Sequence, residues 1–224
     1  MALILNIETA TTNCSVSLSK DGETFALKED NDKNYSHAER LHTYIEDILK
    51  ENNLQPEHLD AVAVSKGPGS YTGLRIGVSS AKGLCYALNK PLVAVSTLEA
   101  LAHQVNRKDG VIVAMLDARR MEVYSAVFST GFDAVRGIQA EVLTENSFIE
   151  YLEQGKVYFV GNGVEKSKTV IQHPNAVFIA DKLPSAREMG TIAEVKYKKN
   201  DIEDVAYFEP YYLKDFVALK PKSK

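Results

Sequence analysis

The chain has 224 residues, 45% apolar and 25% charged, with a formal net charge of −4. This ordinary globular composition excludes wholesale disorder, and a chain of this length buries roughly 70% of its unfolded surface without a disulfide or metal staple. A pI of 5.8 excludes coating of a nucleic-acid backbone by charge alone, and the longest apolar run, residues 111–116, is far short of the roughly 20 residues of a membrane helix.

The opening Leu3-Ile4-Leu5-Asn6-Ile7 reads as a buried strand, and the chain reaches Glu8 without the basic stretch of a signal peptide. Residues 15–18 alternate with period two, residues 20–23 form a turn and residues 24–27 return, which predicts a three-stranded meander. Cys14 and Cys85 lack C-x-x-C spacing, so two free thiols in a reducing cytoplasm are expected. Ser36 with Glu39 forms a capping box, followed by Leu41, Tyr44, Ile45, Ile48 and Leu49 on one helical stripe.

Residues 61–65 make a short buried strand that ends at Lys66-Gly67-Pro68-Gly69. The loop Gly67-Pro68-Gly69-Ser70-Tyr71-Thr72-Gly73 then leads into a helix over residues 71–88. Backbone N–H groups at such a helix start can hold an anion, yet neither a Walker loop nor a dinucleotide fingerprint is present, and a tight turn is the simpler reading. Gly73, Gly77 and Ala81 recur at every fourth position. Glycine inside a helix costs roughly 1 kcal/mol relative to alanine, so a bare ridge of this kind lets another backbone approach. Tyr86 lies on a second face of the same helix. Ordinary core packing and a partner interface both fit these two helices. A strand over 91–95 and a helix from Thr97 through Leu101 complete the first half.

The pattern restarts near residue 107, with strands over 111–116, 122–128 and 138–143, a helix over 145–153, a strand over 157–160 and a last helix over 185–198. Two β-rich halves suggest a duplicated unit, with lobes 1–105 and 106–224, and residues 220–224 form a short basic tail. The five histidines offer no metal pair, since His37 and His42 are five apart and the others are single. Asp117 and Glu122 flank a tight turn that reads as a charged hairpin tip or a ligand-facing loop.

Taken together, Ile4-Leu5-Asn6-Ile7-Glu8-Thr9-Ala10, Ser36-His37-Ala38-Glu39-Arg40-Leu41, the run from Lys66 to Gly77 and the run from Ala94 to Leu101 resemble the TsaB (YeaZ) family of bacterial threonylcarbamoyladenosine biosynthesis accessory proteins. Asp117 to Tyr124 and Glu209 to Leu213 extend the likeness. The resemblance implies an α/β, actin-like (ASKHA, ribonuclease H-like) fold of two duplicated lobes with mixed sheets flanked by helices. It also implies a non-catalytic scaffold for a TsaD-like transferase subunit, joined by a TsaE-like ATPase. In that picture the chain is a homodimer when alone, tRNA is met only through the complex, and neither a cofactor nor a membrane is involved.

The catalytic relative is expected to hold metal through a His-x-x-x-His pair whose matching positions here are Thr97 and Leu101. Leucine has no lone pair to offer, and the first phosphate turn, Glu8 to Thr12, has no glycine. The expected site is therefore a partner interface built from Leu41, Tyr44, Ile45, Ile48, Gly73, Gly77, Ala81 and Tyr86. An independent actin-like ATPase or kinase, and a glycoprotease-like metallopeptidase, are the competing readings.

Overall fold

The computed structural model describes residues 2–31 and 37–214. Ser36 of the predicted capping box and the basic tail at 220–224 lie outside the described residues.

The first lobe opens with β1 (Leu3–Glu8), β2 (Asn13–Lys20) and β3 (Glu23–Asn31) as the predicted antiparallel meander. Helix α1 (His37–Glu51), a 3-10 turn at Pro56–His58, β4 (Ala61–Ser65), α2 (Tyr71–Leu88), β5 (Leu92–Val95) and α3 (Thr97–Ala102) follow. The sheet order is β3-β2-β1-β4-β5, with β4 and β5 parallel to β1. Both faces of the inner strands are covered, so they read as continuous apolar runs rather than alternating ones. Leu5, Ile7, Val62 and Val64 face α1 and α2, while Ile4, Ala61, Ala63, Val93 and Val95 face the opposite side.

The second lobe repeats the plan with β6 (Val111–Asp117), β7 (Glu122–Ser129), β8 (Ala134–Val142), α4 (Ile149–Leu152), β9 (Val157–Val160), α5 (Val164–Ser167) and β10 (Ala176–Ile179) in the order β10-β9-β6-β7-β8. The helix expected over 145–153 shrinks to one turn, because Phe148 takes a left-handed conformation (φ 61°) and delays its start. Strand β10 carries no alternation that sets it apart from a loop. It is recognisable only by its parallel pairing with β9.

The final helix, α6 (Met189–Lys198), returns to the first lobe. Met189, Ile192 and Ala193 pack under Ile4, Ala63 and Val95. The expected division at residue 105 is therefore corrected for the last segment, whose apolar stripe closes the open face of the first sheet. Between the lobes, α3 acts as a wedge: Ala100 joins the first core, whereas Leu98, Leu101 and Ala102 join the second with Ile112, Ala114 and Val160. Among the described residues no helix is long and apolar enough to cross a membrane.

Candidate partner-binding helix and the closed cleft

Helix α1 spends its apolar stripe inside the chain. Leu41, Ile45 and Ile48 are buried in the first core over β2 with Val16 and Leu18, and Tyr44 packs half-buried at the edge. Burial of each such aliphatic side chain contributes roughly 1.5–3 kcal/mol to the fold. The expectation that this stripe exceeds what one sheet needs is corrected: β2, β3 and the flank of α2 cover it.

The glycine ridge has an internal partner as well. A β-carbon at Gly73 would collide with the Thr9 carbonyl, and one at Gly77 with the Thr9 hydroxyl. Thr9 Oγ1 donates to the Gly73 carbonyl at 2.8 Å, so the β1–β2 turn lies directly on α2. Ala81 is wholly buried in the first core. Of the eight expected interface residues, Tyr86 alone is freely exposed, at 85%. The open glycine is one the sequence reading passed over. Gly83 is exposed within α2, and among the described residues nothing lies within 4 Å of where its β-carbon would stand. The signal in the sequence was its departure from the fourfold spacing of the others. With Thr72, Arg75, Ser79 and Tyr86 it forms the solvent face of the helix.

The Gly67–Ser70 loop is a packing junction rather than a phosphate cradle. The Ser70 amide donates to the Ala10 carbonyl at 2.7 Å, and the Ser70 hydroxyl caps the Gly73 amide. Gly69 presses on Ala10, and Gly67, at φ +108°, approaches the carbonyl of Tyr211. The Ser70 and Gly73 amides, which could face an anion, are thus drawn into internal contacts.

Glu8 is fully buried; its Oε1 accepts from the Ala10 amide at 2.5 Å, and its Oε2 lacks a hydrogen-bond partner among the described residues. Burial pushes its pKa up to about 7 against the opposing pull of the Ala10 amide, the Ser65 hydroxyl and the Thr9 amide. Thr97 shares a 2.6 Å hydroxyl–hydroxyl bond with Ser65, and Leu101 fills the space beside Gly161. The two positions matched to metal-binding histidines therefore hold a neutral hydroxyl pair and an apolar contact.

On the second lobe, the turn between β6 and β7 encloses a cation. Lys166 Nζ donates to Asp117 Oδ1 at 3.0 Å, to the Arg120 carbonyl at 2.9 Å and to the Glu122 carbonyl. A turn whose carbonyls converge on an ammonium presents the wrong polarity to a phosphate. The residues of this chain therefore do not fit the nucleotide that an actin-like cleft implies, and no group of three or more His, Cys, Asp or Glu among the described residues could hold a metal.

Two mixed five-stranded sheets joined through the wedge helix α3 define a two-lobed α/β protein of the actin-like class. A family model described as "TsaD: tRNA N6-adenosine threonylcarbamoyltransferase" matches residues 32–222. The TsaB protein of Escherichia coli is 32% identical over 97% of this chain and 96% of its own length, and that of Haemophilus influenzae is 30% identical over 97% and 95%. The solved structure of YeaZ from Pseudomonas aeruginosa superposes with a TM-score of 0.82 at 28% identity, covering 95% of this chain and 100% of its own. The chain belongs to the TsaB (YeaZ) family of tRNA threonylcarbamoyladenosine biosynthesis proteins.

Proposed function

We propose that the chain is a non-catalytic accessory subunit in threonylcarbamoyladenosine biosynthesis on tRNA, and that the solvent face of α2 seats a TsaD-like transferase subunit. A second copy of the chain takes that seat when the transferase is absent, and a TsaE-like ATPase joins the assembled pair. One observation carries this reading: Gly83 is an interior helical glycine with no neighbour at its β-carbon position among the described residues, next to the 85%-exposed Tyr86. The ordinary cost of such a glycine, roughly 1 kcal/mol, has no internal return, whereas close approach of another helix supplies one. Charge supports the same pairing. The solvent face of α2 carries Arg75 and no acidic residue, while α1 beside it carries Glu39, Glu46, Asp47 and Glu51 against Arg40 and Lys50. Two related subunits facing each other around a pseudo-twofold axis would set the acidic helix of one against the basic helix of the other.

Gly83→Arg and Tyr86→Asp are expected to leave the melting temperature within a few degrees of the parent, because neither site touches the core. Both should weaken capture of the purified transferase subunit at least tenfold, as measured by titration calorimetry. Normal binding by both well-folded variants would place the interface elsewhere. Ala81→Glu does not probe the interface, because Ala81 is buried in the first core. Mobility-shift titration of pure chain with tRNA at physiological salt is expected to show no submicromolar binding, given a net charge of −4. Tight, salt-sensitive binding by the chain alone would contradict the assignment of tRNA contacts to the complex.

A further inference from the structure

The segment after α6 makes a set of contacts that neither the partner ridge nor the closed cleft requires. The Glu203 amide donates to the Leu92 carbonyl at 2.9 Å, and Val205 and Phe208 pack on the first core. Lys82 on α2 holds the carbonyls of Ala206 and Phe208 at 3.2 and 2.9 Å. Further on, the Tyr211 amide donates to the Lys66 carbonyl at 2.7 Å. The Tyr212 ring lies 4.8 Å from that of Tyr71, which also carries the Arg75 guanidinium at 5.1 Å. The chain then leaves the first lobe, and Lys214 pairs with the carboxylate of Glu122 on β7 of the second.

We propose that residues 209–214 are a latch that couples the N-terminal end of α2 to the β6–β7 hairpin and so holds the two lobes in register. An isolated exposed ion pair would be a poor basis for this, because the entropy of ordering two long side chains offsets most of its attraction. Here both ends are already ordered. At the far end, Glu122 gives its carbonyl to Lys166 while its carboxylate takes Lys214, and Lys166 also gathers Asp117 and the Arg120 carbonyl. The turn it braces places Arg119 and Arg120 at φ 71° and 49°, a conformation that side chains resist and that external contacts must maintain. At the near end, the strap is fixed by the Tyr211–Lys66 hydrogen bond and the tilted tyrosine pair. A hairpin held from behind by its own lobe and from the front by the other transmits displacement in either direction.

Backbone amide hydrogen exchange on the full-length chain tests the coupling. Lys214→Glu is expected to speed exchange of the amides at 117–124 about two- to fivefold, and also those at 66–73, which residue 214 does not touch. Tyr212→Ala severs the opposite end and is expected to speed exchange at 117–124, on the lobe it does not contact. The charge-swapped pair Lys214→Glu with Glu122→Lys should return both segments to within twofold of the parent, and amides of β4 in the core should be unchanged throughout. Should the swapped protein fold poorly, Tyr212→Ala carries the test alone. Unchanged hairpin exchange in Tyr212→Ala, or a Lys214→Glu effect confined to 117–124, overturns the latch.

Discussion

Valine in place of Gly73 should cost about 3 kcal/mol or more, a large fraction of the roughly 5–15 kcal/mol by which an ordinary domain is stable. The β1–β2 turn and α2 meet backbone to backbone there, so a β-carbon strikes the Thr9 carbonyl, an atom that cannot rotate away. The same collision breaks the 2.8 Å bond from Thr9 Oγ1 to the Gly73 carbonyl. Gly83→Ala in the same helix has the opposite expected sign. With nothing near its β-carbon, alanine lowers the conformational entropy of the unfolded chain and should raise stability by roughly 0.5–1 kcal/mol. Urea denaturation of the two variants beside the parent decides the matter. Equal tolerance of both substitutions would mean that the two glycines do not differ in the way their surroundings indicate.

The second large effect is a dependence on pH set by Glu8. A carboxyl whose pKa rises from 4.5 to about 7 on folding binds its proton more tightly in the native state. Its contribution is therefore fully present below pH 4.5 and is lost as the pH climbs to about 7, a change on the order of 3 kcal/mol. Glu188, whose pKa is likewise pushed up to about 7 chiefly by burial, has the same sign. Glu8→Gln retains an oxygen for the Ala10 amide and cannot ionise. It should match the parent near pH 5, exceed it clearly at pH 8, and flatten the profile between those values except for the slope left by Glu188. Chemical denaturation at pH 5, 6.5 and 8 measures this. A Glu8→Gln protein less stable than the parent at pH 8 would show that the ionised carboxylate is needed.

Much of this molecule was legible from local pattern. The strands β1, β4, β6 and β9 are short apolar runs bounded by turn residues, and the stripe Leu41, Ile45, Ile48 has helical spacing, so elements and their buried faces followed from periodicity. The duplicated two-lobe plan followed from the restart near residue 107 together with the family resemblance. Local pattern also marked Gly73 and Gly77 as points of close approach, because a helix tolerates interior glycine only where something uses the space.

What occupies that space was a tertiary matter. Periodicity identifies the face of α1 or α2 that must leave water, but a sheet of the same chain and the helix of a partner remove it from water equally well. The buried stripe of α1 and the Gly73–Gly77–Ala81 ridge belong to the fold for that reason, and the face of α2 with Gly83 and Tyr86 is the one left to solvent. Likewise no local signal could send α6 back to the first sheet, place Lys166 inside the β6–β7 turn or carry Lys214 across to Glu122. These contacts join residues at least 44 positions apart, and a pairing at such distance is selected by the packing of whole lobes, not by the preferences of the residues that make it.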